Sequence, residues 1–150
     1  MFLMQISPQM TTIVTAIATK HHVDLAQVGA HLRLDMPGFD RLCTERIGPR
    51  CISVAHYFVM NGDLVAEPDI VFYVESPRIW FPISISQSLT GWREYAQLNM
   101  LGTALVGYQP KAQKGLAEFA EMWAQNIKDQ GWLEDGVHYV YATGGDDVSD

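Results

Sequence analysis

The chain has 150 residues, a formal charge of −7, and 48% hydrophobic and 11% aromatic residues. That is the length of one domain, enough to bury a core without disulfide staples, and the composition excludes a disordered or fibrous chain. The acidic balance argues against a broad cationic surface for phosphate backbones.

Ser7-Pro8 predicts a helix cap followed by proline at the first helical position. Met10, Ile13, Val14 and Ile17 then share one helical face, and the helix is expected to end near Lys20-His21-His22. Asp24 suggests a short second helix over Leu25–His31, interrupted by Gly29. Two helices so placed raise a helix-turn-helix as one reading, but Arg33 is the only nearby group for phosphate.

Leu32 and Leu34 alternate with Arg33 and Asp35 as a first strand, broken by Met36-Pro37-Gly38. Leu42, Thr44 and Arg46 alternate with Cys43, Glu45 and Ile47 up to a turn at Gly48-Pro49. Ile52–Met60 predicts a stronger strand, with Ile52, Val54, His56, Phe58 and Met60 on one face. Asn61-Gly62 demands a turn with positive φ, which opposes Met60 to Asp63 and brings Tyr57 near Glu67 or Pro68. Leu64-Val65 starts the return arm, Glu67-Pro68-Asp69 reads as a bulge or edge, and Ile70–Val74 resumes the strand. Ile79–Ile85 is the next strand, with Pro82 marking its start or an edge.

Residues 86–109 carry no clear period; Leu89, Trp92 and Leu98 suit a helix or a packed loop, and Leu101–Tyr108 a short strand. Pro110–Gln130 is the clearest helix, with Leu116, Phe119, Ala120, Trp123, Ile127 and Gln130 in phase. Lys114, Glu118, Glu121, Gln125 and Lys128 are expected to face water, and Gly131 to form a left-handed cap. His138–Ala142 suggests a last strand before an acidic tail at 144–150.

The expected fold is α+β: one domain over 1–150, core about 7–142, in which an antiparallel meander of four or five strands packs against the long C-terminal helix, with an N-terminal helix beside it. Cys43 and Cys51 read as reduced, partly buried thiols, with one disulfide between them as the alternative. No apolar run reaches membrane-spanning length, and MFLMQISPQM lacks the basic start of a signal peptide, so a cytoplasmic location and no membrane contact are expected.

Chemistry is sparse. The five histidines lack zinc-protease spacing, the cysteines lack zinc-finger or redox spacing, and there is no phosphate-binding loop. No metal and no cofactor is implied. The weak catalytic candidates are His56, Asp63 and Asp69, with a His56–Asp69 approach across the hairpin that would orient and charge the imidazole. A nucleophile and an oxyanion donor are not identifiable, and a structural hydrogen bond is the better account of the pair. Asn61, Asp63, Arg78 and Trp92 are candidate ligand or partner contacts. Arg33, Arg41, Arg46, Arg50, Arg78 and Arg93 either gather on one face to bind an anion or scatter over the surface.

The segment HYFVMNGDLVAEPDIVF resembles a pattern H-Y-x-x-x-N-G-D-L-x-x-x-P-x-x-x-F. That pattern is similar to one in a small family of unknown function found in bacterial genomes and on plasmids and phages. Leu32–Asp35, Pro37-Gly38-Phe39, Leu42 and Glu45-Arg46-Ile47 resemble its opening, and Trp80, Pro82 and Gly91 follow the hairpin as they do there. Phe119-Ala120, Trp123, Asn126 and Gln130-Gly131 resemble its ending, so the likeness spans roughly Leu32–Gly131. Where the family commonly has an aspartate shortly before the glycine matching Gly91, this chain reads Gln87-Ser88-Leu89-Thr90. The resemblance implies a compact α+β domain and a link to mobile elements, and no activity.

The expected function is that of a small accessory protein working through a protein partner or self-association, as a modulator of a host or nucleic-acid-processing system. An enzyme or small-ligand domain centred on the 56–69 hairpin is the alternative, and DNA binding through the N-terminal helices a third.

Overall fold

The computed structural model describes residues 4–139. Helix α1 (Pro8–Lys20) starts at the expected proline and ends at His21, burying Met10, Ile13, Val14 and Ile17. Ser7 occupies the cap position but makes no side-chain cap. The Glu121 carboxylate caps α1 instead, accepting from the backbone N–H groups of Gln9 (3.1 Å) and Met10 (3.3 Å). A carboxylate there also meets the positive end of the helix dipole.

The expected helix over Leu25–His31 does not form. The Asp24 carboxylate accepts from the Ala26 N–H, and Gly29 takes φ +91° to donate its N–H to the Arg46 carbonyl. Those bonds hold the segment as turns against the next strands, so the second helix of a helix-turn-helix is absent.

Strands β1 (His31–Asp35), β2 (Arg41–Gly48), β3 (Cys51–Met60), β4 (Asp63–Ser76), β5 (Ile79–Gln87) and β6 (Gly91–Glu94) follow in chain order, each antiparallel to the last. They form the expected meander. The sheet is larger than the four or five strands expected, because β6 and the short β9 (Val137–His138) extend its edges. The order is β6-β5-β4-β3-β2-β1-β9, seven strands. The last strand, expected over His138–Ala142, is described only at its start; residues beyond Tyr139, the acidic tail included, lie outside the described residues.

The β3–β4 turn is as expected: Asn61 and Gly62 have φ +53° and +85°, and Met60 pairs with Asp63. Strand β4 runs unbroken through Pro68, with a bulge where Ala55 pairs with Asp69 but Tyr57 pairs with Ala66. The Glu67-Pro68 bond is cis. Pro82 sits where β5 pairs with β4 but lies beyond the reach of β6, so its missing N–H leaves no gap in the ladder.

Residues 95–109 form a separate ribbon, β7 (Ala96–Leu98) with β8 (Leu105–Tyr108). Helix α2 (Pro110–Gln130) has its expected bounds, and Gly131 caps it at φ +91°. A short α3 (Trp132–Asp135) then buries Trp132 completely.

Alternation along the strands separates two faces. Leu32, Leu34, Leu42, Ile52, Val54, Ile70 and Phe72 meet α1 and α2 in the main core. On the opposite face the β7–β8 ribbon covers a smaller core of Cys51, Tyr73, Ile83 and Ala96. Gln113, fully buried on α2, ties the layers together: its Oε1 accepts from the Gln5 N–H, and its Nε2 donates to the Gln5 and Pro82 carbonyls. Cys51 is a buried free thiol. No helix among the described residues is long and apolar enough to cross a membrane.

Candidate functional site

The face of β1–β3 turned away from the helices holds a groove of about 430 Å³. Strand alternation sends Arg33, Cys43, Glu45, Ser53 and Tyr57 to this face while their neighbours Leu32, Leu42, Thr44, Ile52 and Val54 go to the core. Cross-strand register sets them side by side: Arg33 pairs with Cys43 and Cys43 with Ala55, and Glu45 pairs with Ser53.

One wall is apolar. Strands β3 and β4 run past the ends of β2 and β5, whose pairing with them begins at Tyr57 and Asp69. The two-stranded extension carries Val59, Met60 and Leu64, which are 68%, 48% and 53% exposed. Phe58, Val59 and Leu64 form this wall, and Phe39 and Arg41 the other. Arg41 is held in place: its Nε donates to Asp35 Oδ1 at 2.8 Å, and its guanidinium lies 3.6 Å from the centre of the Tyr139 ring. The bond to Asp35 raises its pKa further, so it stays charged.

Beside the groove floor, Ser53 Oγ donates to Asp69 Oδ1 at 2.6 Å. Burial pushes the Asp69 carboxyl above the usual range, the Ser53 bond offsets part of that, and the charge of Glu45 adds to it. Burial likewise raises the Tyr57 phenol, with the Asp69 charge contributing. The arrangement sets donors, acceptors and an apolar wall side by side.

The residues expected from sequence do not assemble here. His56 and Asp69 do not meet. Alternation through the bulge turns His56 to the helix face, where its ring lies 5.5 Å from that of Trp123 and 5.7 Å from that of Trp132. Its Nδ1 donates to the Asp40 carbonyl at 3.1 Å, and burial lowers its pKa, which favours the neutral form of this half-buried imidazole. Asp69 faces the other way, on Ser53. Asn61 and Asp63 are exposed at the turn, and Arg78 is exposed in the β4–β5 turn at the far end of the sheet. Trp92 is 62% exposed on β6, in the cross-strand row Asp69–Ser86–Trp92. Among the described residues, no group of three or more His, Cys, Asp or Glu is placed to hold a metal ion.

The arginines divide by position. Arg33 and Arg41 line the groove, Arg46 and Arg50 share a cavity on the helix face, and Arg78 and Arg93 are exposed. The groove residues were present in the sequence as the polar phase of three alternating strands. What was missing was the pairing that turns three separate phases into one surface.

No curated protein and no solved structure matches the chain. A family model does, the domain of unknown function DUF6908, and it covers residues 9–133. That span takes in α1, the six-stranded meander, the β7–β8 ribbon and α2, and on it the chain belongs to the DUF6908 family.

Proposed function

We propose that the protein acts through contact with another protein or a second copy of itself, seated in the outer groove against the β3–β4 extension. The exposed apolar cross-strand pair Val59 and Leu64, on strands projecting beyond their neighbours, carries the reading. Such a patch loses free energy only when something covers it. The unpaired edge of β3 past Tyr57 offers backbone groups to an extended segment, and the groove floor offers polar groups to its side chains. The resemblance to a family carried by plasmids and phages favours a partner in a host nucleic-acid-processing system.

The test compares the native chain with a Val59→Asp/Leu64→Asp double variant, both tagged. The native chain should retain a stoichiometric partner from lysate or self-associate in light scattering. The variant, with unchanged circular dichroism, should lose that contact by at least tenfold. A native chain that neither retains a partner nor self-associates would remove this function.

A further inference from the structure

A second cavity, of about 360 Å³, lies on the helix face at the far end of the sheet from the β3–β4 turn. It sits between the last turns of α1, the 23–26 turn, and the β2–β3 and β4–β5 connections. The volume falls in the range of small-molecule sites, about 300–1,000 Å³. Its apolar walls include Val23, Leu25, Ile52 and Trp80.

Two guanidinium groups line it, and neither is in an ion pair among the described residues. Arg46 donates to the carbonyls of Gly48, Leu25 and Pro49, and Arg50 donates through Nη1 to those of Val74 and Glu75. A guanidinium carries five N–H groups, so each keeps donors in hand. Asp24 and Glu75 also border the cavity, yet among the described residues the only ion pair is Arg41–Asp35. Trp80 adds a third donor: it is 2% exposed and its Nε1 has no hydrogen-bond partner. A buried donor without an acceptor is unfavourable, and an acceptor brought in by a ligand would relieve it.

We propose that this cavity binds a small carboxylate with a compact apolar body, an aryl or branched-chain acid. The carboxylate takes unspent N–H groups of Arg46 and Arg50 and accepts from Trp80 Nε1, and the apolar body lies against Val23, Leu25 and Ile52. A carboxylate is the fitting head because it accepts only, and accepts several bonds from a planar guanidinium. The site is separate from the outer groove, so its failure and that of the partner contact are distinguishable.

The test is a titration of the ¹⁵N-labelled full chain with benzoate and with benzamide, its neutral counterpart. The indole N–H signal of Trp80 is identified by its loss in Trp80→Phe. With benzoate it should shift saturably, while that of Trp92 stays in place. Benzamide should bind roughly tenfold more weakly, as should benzoate to Arg50→Gln, for loss of one charge-assisted pair. Should Arg50→Gln fail to fold, Thr19→Leu decides, because Thr19 is exposed on α1 and the larger side chain fills the cavity mouth. A Trp80 signal unmoved by benzoate, phenylacetate and isovalerate would overturn the site. So would equal affinity for benzamide, or full affinity in Thr19→Leu.

Discussion

His56 and Asp69 show how far a single residue's neighbourhood can be read in advance. Alternation assigns His56 and Tyr57 to opposite faces of β3, and they do lie there. The bulge at Glu67-Pro68 leaves Asp69 opposite Ala55, on the face His56 does not share. The imidazole therefore serves the core, and its protonation works against folding. Its folded pKa is below the ordinary value of about 6.5, with burial the main cause. Between the folded and ordinary values the unfolded chain binds more protons, so stability rises with pH in that window and falls as pH drops below about 6.5. His21 is shifted the same way, chiefly by burial, and adds to the acid loss. His56→Phe should narrow the gap in Tm between pH 7.5 and pH 5.5, while losing about 0.5–1.5 kcal/mol at neutral pH with the Asp40 bond. Thermal unfolding at the two pH values measures both, and an unchanged gap would contradict the assignment.

Among the elements, the helices with strong periods appear where their patterns put them, and their ends depend on partners. The start of α1 was legible from Ser7-Pro8, but its cap was not, because Glu121 reaches it from a helix more than a hundred residues later. On its own helix Glu121 reads as a solvent-facing residue. Glu121→Ala should cost about 1–2 kcal/mol, the usual worth of a cap plus a dipole contact. Urea unfolding gives the value, and a loss below a few tenths would return the cap to solvent. The segment 86–109 resisted reading because its strands are three or four residues long, and β6 buries none of its side chains. A period cannot show in so short a run. Its exposed Leu89, Trp92, Met100 and Leu101 follow no core-facing phase.

For the whole molecule, the central fact is a sheet covered by helices on one face and only partly covered on the other. Trp132 anchors the covered side. It is fully buried, its ring packs against Phe39 and His56, and its Nε1 donates to Gln130 Oε1. Lys20 Nζ donates to the carbonyls of Leu133 and Glu134, tying α3 to α1. Trp132→Ala should cost about 3–5 kcal/mol, a large part of a typical domain's stability. Denaturant unfolding should show it as a lower midpoint with a similar slope, and a loss under 1 kcal/mol would mean that α3 is not an anchor. The partly covered side holds the groove, and its projecting strands are where a partner would be felt first.

The sequence by itself determined the α+β class, the bounds of both long helices, the Asn61-Gly62 turn and the sides to which successive strand residues point. These follow from local sterics and from hydrophobic period, which act over a few residues. Only the tertiary structure decided which strand neighbours which at the edges, which face the helices cover, and which polar groups share a groove. Those outcomes depend on contacts between residues far apart in the chain, such as Glu121 with Gln9 and Gln113 with Pro82, and local pattern carries no record of them.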